Sequence, residues 1–287
     1  MLFIAHRWLR VASCVLSLVV TSVSALAQAP DGRKAFRVCL DPSNMPFANS
    51  KGEGYENKIA DLFAKSLGLP VENYTYPQRM NFVRNTLRFK VPGSDYPCDI
   101  LISVPAGFDQ VSVTKPYYRS AYALVFPLGK GLDNVQTEQD FLALPPDKLH
   151  SLKIGIYDRE PSSLWLAHHH LIDQGVPYQT LNADPDWYPG QIIDKDLAQG
   201  KIDVAIVWGP IAGYFVNKVK PVPLKLVLLK SEKNLPLDYQ MAMGVRYGEK
   251  EWKEQIEKLI EDNKPQITAI LKDYGVPLVD ANGEPIR

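Results

Sequence analysis

The chain has 287 residues, and its 32 lysines and arginines balance its 32 aspartates and glutamates. A neutral chain without a basic run is poorly suited to binding nucleic acid or an anionic lipid surface, so we expect neither kind of partner. The length is sufficient for two lobes of ordinary domain size, each with its own core.

The N-terminus has the composition of an export signal. Arg7 and Arg10 form a positive region, residues 11–23 are apolar, and a small-residue cleavage pattern ends at Ala27. We predict a Sec-type signal peptide at residues 1–27, cleaved after Ala27, and a periplasmic mature protein. An uncleaved anchor is the weaker alternative because the apolar run is shorter than the roughly 20 residues that span a bilayer. No later run is long enough either, so we expect no stable membrane insertion.

The first half of the mature chain alternates strand-like and helix-like patterns in chain order. Apolar residues at helical spacing predict a helix at residues 54–67, which Gly68 ends. Short apolar runs predict strands. The expected strands are at residues 36–41, 71–76, 98–104 and 121–126, and the expected helices at 54–67 and 81–88.

The second half repeats this plan. The run at residues 152–158 matches that at 36–41, and the run at 202–208 matches that at 98–104. Matched runs in two halves imply two α/β lobes of similar plan. Ligands of open parallel sheets bind beyond the carboxyl ends of the strands, so the loops after these runs should face one another across a cleft. The other expected elements are helices at residues 162–174, 191–200 and 250–263 and strands at 224–229 and 239–247.

The lobe boundaries follow from where the chain leaves and re-enters the first lobe. Residues 129–146 are polar and rich in turn formers, as expected of a connection. We predict a discontinuous first lobe at residues 28–122 and 240–287 and a second lobe at 123–239. Two crossing strands would then form a hinge that closes the cleft around a ligand.

Signal cleavage leaves two cysteines, Cys39 and Cys98. In an oxidising compartment an isolated pair is usually a disulfide. Neighbouring strands of one lobe would bring the two within bridging distance. Two buried free thiols are the alternative, and a redox-active pair is less favoured because no C-x-x-C spacing is present.

Several segments resemble type II periplasmic solute-binding proteins of the amino-acid-binding kind. The matching residues are Pro46-Phe47, Gly54-Tyr55-Glu56, Leu67-Gly68 and the run at 110–118, which contains Thr114. The resemblance implies an α/β fold with two lobes, mixed sheets flanked by helices, and two hinge strands.

More narrowly, five segments resemble the MxaJ/XoxJ group, which is found beside PQQ-dependent methanol dehydrogenases. These segments are residues 39–47, 52–60, 76–79, 82–87 and 116–120. The resemblance implies a periplasmic companion of a quinoprotein alcohol dehydrogenase, acting by protein contact or by binding a small ligand. The alternative is the substrate-binding protein of an ABC transporter, for a small solute that is not an ordinary amino acid.

The ligand clamp of the amino-acid binders is changed. They place an Arg three residues before the Val of the Val-Asp-Phe segment, where its fork binds the ligand carboxylate. Counting back from Val111 puts Phe108 there. They place an acidic residue five positions after the Asp of the later second-lobe strand, and counting on from Asp203 gives Trp208. We therefore expect that ordinary amino acids do not bind, although core packing is an equal alternative for Trp208.

Other polar residues are weaker candidates. Asp41 and Asn44 line the cleft or make a turn. Ser162 and Ser163 bind an anion at a helix start or cap the helix. Arginines can bind an anion or form surface ion pairs. The complete candidate set is Asp41, Asn44, Tyr55, Arg79, Phe108, Thr114, Arg119, Ser162, Ser163 and Trp208.

No cofactor, metal or catalytic site is expected. His168, His169 and His170 suggest a metal, but adjacent helical residues point about 100° apart and all three cannot bind one ion. Asp41, Glu53 and Glu56 offer carboxylates for acid–base catalysis, yet their spacing does not demand it. The usual hydrolase, phosphate and dinucleotide motifs are absent from the sequence, so we expect a protein that is not an enzyme.

Overall fold

The structure is a computed structural model that describes residues 32–77, 81–180, 184, 186–220 and 222–286. The predicted signal peptide and the candidate residue Arg79 lie outside these ranges. Within them, no helix is both long enough and apolar enough to cross a bilayer.

The first part of the described chain supplies seven strands and two helices. In chain order they are β1 (Phe36–Leu40), β2 (Ser43–Asn44), β3 (Ala48–Asn49), α1 (Tyr55–Leu67), β4 (Val71–Thr75), α2 (Phe82–Asn85), β5 (Leu101–Pro105), β6 (Ser112–Val113) and β7 (Tyr118–Pro127).

The remainder supplies five strands, six α-helices and two short helices of other kinds. In order they are α3 (Glu138–Leu142), α4 (Pro146–Ser151), β8 (Ile154–Tyr157), α5 (Pro161–His168), a 3₁₀ turn (Ile172–Gln174), β9 (Gly175–Tyr178), a π-helix (Ile192–Leu197), β10 (Val204–Trp208), α6 (Gly209–Lys218), β11 (Leu224–Leu228), β12 (Asp238–Val245), α7 (Lys250–Asp262) and α8 (Lys264–Asp273).

Two long antiparallel strands, β7 and β12, connect the lobes. The first residues of β7 pair with β12, with Ala121 opposite Asp238. From Tyr122 onward β7 pairs with β10 and β11 of the second lobe, whereas the later part of β12 pairs with β5 and β6 of the first. The expected mixed sheets and hinge strands are therefore present. The exact lobe boundaries stay a prediction.

The buried faces explain the apolar runs in the sequence. Along β7, Leu124 and Phe126 belong to one core cluster and Ala123 and Val125 to another. Successive side chains of a strand point to opposite faces, so a strand covered on both faces is apolar throughout. Helix α1 instead buries one stripe and ends at Gly68, whose φ of 67° favours glycine.

The first lobe carries the expected disulfide. Cys39 and Cys98 are bonded, with 5.2 Å between their Cα atoms. Val38 of β1 and Ile100 form a parallel bridge that brings the two cysteines together. Both half-cystines are buried in a small apolar cluster with Leu87. The prediction of a bridge is confirmed.

The structure corrects several predicted helices. The helix expected at residues 81–88 is only α2. The helix expected at 162–174 divides into α5 and the 3₁₀ turn because His170 adopts a φ of 58°. The segment 191–200 forms a π-helix instead of an α-helix. The turn-rich connection at 129–146 contains α3 and the start of α4.

Candidate functional site

An aromatic cluster lies where the lobes meet, and we define it by six residues. On the first-lobe side, the hydroxyl groups of Tyr55 and Tyr118 are 3.0 Å apart, and the rings of Tyr117 and Tyr118 are 4.9 Å apart. At the hinge, the Trp208 ring lies 5.5 Å from Tyr122 and 5.9 Å from Tyr239. Trp208 packs against the core clusters of both lobes, so it joins the two groups of rings.

Side chains of the first lobe reach into the second. Phe47 packs against the first-lobe core and against the second-lobe cluster that contains Phe215, and Met45 joins it there. Both residues stand in the turn after β1, whose shape Asp41 and Asn44 support. Asp41 Oδ1 accepts a hydrogen bond from the Ser43 N–H at 2.8 Å, and the Asn44 carbonyl accepts one from the Phe47 N–H at 2.8 Å.

A second contact between the lobes is formed by two stacked tyrosines. Tyr214 of α6 stacks on Tyr274 with 5.9 Å between ring centroids and 16° between planes. Beside them, a Cβ atom on Gly213 would lie 1.8 Å from the Gly275 carbonyl oxygen, so only glycine permits this approach. An adjacent open cavity of about 450 Å³ is bordered by Glu53, Tyr214, Asn217, Lys218, Asp273 and Tyr274. The two lobes are thus in direct contact.

Glu56 is the most perturbed carboxyl group of this region. Burial raises its pKa from 4.5 to about 7, and the nearby charge of Asp41 adds to the rise, while a hydrogen bond from Ser103 opposes it. Ser103 also lies 3.0 Å from the Tyr117 hydroxyl. The region therefore holds a carboxyl group that changes charge near neutral pH.

Changing Glu56 to glutamine should alter how stability depends on pH. The folded-state pKa lies above the ordinary value, so the native state holds the proton more tightly than the unfolded chain. Stability is therefore lost as pH rises from about 4.5 through 7. We expect Glu56→Gln to equal the parent chain at pH 4 and to exceed it at pH 8, by up to about 3 kcal/mol.

Urea denaturation at several pH values measures this difference. Asp61→Asn, on the exposed face of the same helix, is the matched control. A Glu56→Gln variant that is no more stable than its parent at pH 8 would show that the carboxyl group is not held in its neutral form.

A second acid lies on the opposite side of the aromatic cluster. The Tyr122 hydroxyl donates a hydrogen bond of 3.0 Å to Glu160 Oε2. Burial raises the pKa of Glu160, and the bond from Tyr122 partly opposes this rise. Burial also raises the pKa of Tyr122 well above its usual value. Acids on both sides of an aromatic surface favour a neutral or cationic guest over an anionic one.

The structure brings together only some of the predicted site residues. Asp41, Tyr55 and Trp208 lie in or beside the aromatic cluster. Phe108 packs on the disulfide cluster instead, so it and Trp208 belong to different cores. Arg79 lies outside the described residues. The predicted two-residue clamp position therefore stays a prediction.

The other candidates make structural contacts. Thr114 Oγ1 accepts a hydrogen bond from the Met243 N–H at 3.0 Å and so ties β6 to β12. Arg119 pairs with Asp238 across the two hinge strands. Ser163 donates to the Tyr157 carbonyl at 3.2 Å. Ser162 is fully buried, and its hydroxyl makes no hydrogen bond within the described chain.

Sequence reasoning missed part of this region. Tyr118 was expected only as the end of a family-like segment and Tyr122 only as the end of the first part of lobe 1, and Glu160 was not singled out. Tyr239 was placed only as the start of a strand. The signal that could have revealed the three tyrosines is their concentration in the hinge strands. These tyrosines come together only when β7 and β12 pair.

No protein-family model matches the chain. Protein MoxJ of Methylorubrum extorquens is 28% identical over 275 residues, which cover 90% of this chain and 86% of MoxJ. The crystal structure of periplasmic binding protein XoxJ from Methylobacterium extorquens AM1 is 35% identical, with a TM-score of 0.68 over 86% of this chain and 100% of XoxJ. MxaJ from Methlophaga aminisulfidivorans MPT is 24% identical with a TM-score of 0.69, over 85% of this chain and 100% of that chain, and supports the fold alone.

Proposed function

Because the chain belongs to the MxaJ/XoxJ group of type II periplasmic binding proteins, we propose that it is a periplasmic accessory protein of a PQQ-dependent methanol dehydrogenase system. It acts by protein contact in its closed form and not by catalysis. The observation that carries this proposal is Phe47, which packs against the cores of both lobes.

The physical argument concerns what holds the lobes together. A solute receptor uses its ligand to favour the closed state, and the ligand shifts the equilibrium only by its extra affinity for that state. Here the protein's own side chains supply contacts across the interface, through Phe47 and through the stacked pair Tyr214 and Tyr274. These contacts stabilise the closed form without a guest. A stable closed form offers a partner protein a fixed surface.

A binding assay tests the partner role. The signal-free chain is immobilised and exposed to purified PQQ-dependent methanol dehydrogenase, both with and without its quinone cofactor. We expect saturable association with at least one of the two forms, and an unrelated amino-acid-binding protein serves as the negative reference. Absence of association with both forms contradicts the partner role.

Two matched variants test the closed form. Phe47→Ala removes an aromatic side chain from the interface, whereas Phe82→Ala removes one from the disulfide cluster of the first lobe. We expect only the former to weaken association, by about tenfold or more. If both variants bind the dehydrogenase with equal affinity, the partner role stands, but the closed form is not required for it.

The second candidate function is an ABC-transporter receptor for a small solute other than an ordinary amino acid. Glu56 and Glu160 beside aromatic rings favour it, because such a surface accepts a neutral or cationic solute. A tight ligand raises the melting temperature by mass action. A thermal-shift screen in which several solutes stabilise the chain supports this function over the first.

We expect ordinary amino acids not to bind, and testing them is a useful part of this screen. With Phe108 and Trp208 at the counted clamp positions, no residue there pairs with both the carboxylate and the ammonium group. Calorimetry should show no binding tighter than about 1 mM, equivalent to roughly 4 kcal/mol. Micromolar binding of a common amino acid would mean that other residues form the clamp.

A further inference from the structure

Three metal-ligating side chains meet on the second lobe, Glu138, His169 and Glu232, and a fourth, His168, contacts one of them. We call the four residues the His-Glu cluster. Glu138 begins α3, the two histidines end α5, and Glu232 stands in the loop after β11. The ligand atoms of Glu138, His169 and Glu232 all lie within 4.8 Å of one another. His168 Nε2 lies 3.1 Å from Glu232 Oε2.

The two adjacent histidines both contact Glu232, although the planes of their rings differ in direction. The ring planes of His168 and His169 are 89° apart. Glu232 contacts both rings because it uses a different oxygen for each. Its Oε1 lies 2.7 Å from His169 Nε2, and its Oε2 lies 3.1 Å from His168 Nε2. His170 has a φ of 58°, which departs from the helical course, and it is not among the residues whose ligand atoms converge. The expected divergence of neighbouring helical residues therefore does not separate this pair.

Hydrogen bonds fix the orientation of the Glu138 carboxylate. Its side chain is 4% exposed, and its Oε1 accepts a hydrogen bond from the Trp165 indole N–H. Its Oε2 accepts one of 3.2 Å from the backbone N–H of Lys230. The Trp165 ring also packs against His169 at 4.7 Å. Such outer contacts fix the orientation of metal ligands in proteins.

The charges of the cluster call for a cation. Two carboxylates so close together repel each other unless a positive charge lies between them. Within the described ranges, the ion pairs of Glu232 are both with histidines, and Glu138 has none. The ammonium group of Lys230 pairs with Glu284 instead. The hydrogen-bond donors to Glu138 are both neutral, and burial makes a carboxylate without a cationic partner costly.

We propose that the His-Glu cluster binds a divalent first-row transition metal of the Zn²⁺ class, with one nitrogen from each histidine and one oxygen from each glutamate. Mixed imidazole and carboxylate ligands suit Zn²⁺, Co²⁺ and Ni²⁺, whereas Ca²⁺ and Mg²⁺ prefer oxygen ligands alone. Ligand bonds of about 2.0 Å in a tetrahedron separate ligand atoms by roughly 3.3 Å. His169 Nε2 and Glu232 Oε1 are now 2.7 Å apart and would have to separate slightly, while His168 Nε2, now beside Glu232 Oε2, would have to turn toward the ion.

Metal titration of the tag-free mature protein, stripped with a chelator, tests this site. We expect one Zn²⁺ per chain with micromolar or tighter affinity, Co²⁺ to give the visible absorption of a four-coordinate ion, and Ca²⁺ at the same concentrations not to bind. Binding should also change Trp165 emission, because the indole N–H contacts Glu138. Zn²⁺ binding weaker than about 100 μM, or equal binding of Ca²⁺, overturns the proposal.

Variants assign the ligands. His169→Ala and Glu232→Gln should each weaken Zn²⁺ binding at least tenfold, whereas His170→Ala, next in sequence but outside the cluster, should leave it unchanged. Circular dichroism and melting of the metal-free forms establish that each variant folds. If His169→Ala does not fold, Glu232→Gln and His168→Ala carry the test. Equal loss in His170→Ala, or undiminished binding in Glu232→Gln, contradicts the assignment.

Discussion

Replacing Arg246 by methionine should destabilise the protein by about 3–5 kcal/mol, because it leaves a buried carboxylate without part of its compensation. Arg246 is 8% exposed and pairs with Asp99, which is 2% exposed. Its guanidinium also donates to the carbonyls of Leu87 at 3.1 Å and Cys98 at 2.6 Å. The same side chain pairs with Glu249 at 2.6 Å.

This arrangement joins the short connection between β12 and α7, which holds both Arg246 and Glu249, to Asp99, which is distant in sequence. Arg246 follows β12, Asp99 precedes β5, and Glu249 precedes α7. Arg33 contacts the same two acids, at 2.9 Å from each. Methionine keeps most of the length of arginine but provides no donors, so the carbonyls and the carboxylate would lose partners in a dry environment.

Chemical denaturation of the parent and the variant measures the loss. Lys250→Met is the control, since Lys250 forms an exposed pair with Glu254 at 3.7 Å. Exposed pairs of this kind contribute roughly 0–1 kcal/mol. A loss below about 1 kcal/mol in Arg246→Met would mean that water or Arg33 replaces the missing interactions.

Loss of the disulfide should destabilise the protein by about 4 kcal/mol. Cys39 and Cys98 are 59 positions apart, and in the chain-entropy model a closed loop of about 60 residues restricts the unfolded chain by that amount. The half-cystines are also buried beside Leu87 and Val104. Their reduction would leave two thiols in an apolar cluster without the constraint.

Denaturation with and without reductant tests this value. The double variant Cys39→Ala/Cys98→Ala should match the reduced protein and should not respond to reductant. Periplasmic material unfolded without reductant should show no free thiol. Two titratable thiols in that material would contradict the bridge, and an unchanged midpoint after reduction would contradict its contribution.

The sequence located the strands because their signal is local. The matched runs became β1, β5, β8 and β10, since burial on both faces requires consecutive apolar residues. The missed helices have a different origin. Helix α6 contains Gly209, Pro210 and Gly213, which weaken the local helical signal. Gly213 is there because the backbone of Gly275 packs against it.

The candidate site was less predictable. Sequence counting identified Trp208 as important without deciding whether it faced a core or a guest, and the structure places it among Tyr122, Tyr239 and the cores of both lobes. The same counting named Phe108 as the other clamp position, which stays a prediction, and the structure shows Phe108 packed on the disulfide cluster. Counting along the sequence locates a residue relative to a strand. It does not show which way the side chain points, because that depends on neighbours far away in sequence.

The sequence by itself indicated the family through the resemblance of its segments, determined the two-lobe α/β plan through matched apolar runs, and predicted the pairing of Cys39 with Cys98 from an isolated cysteine pair. These signals can be read from the chain without coordinates. Only the tertiary structure decided the charge environment of Glu56, the packing of Phe47 against both lobes and the meeting of His169 with Glu138 and Glu232. Each of these depends on side chains from separate elements, and their distances and burial are set when the sheets and helices pack together.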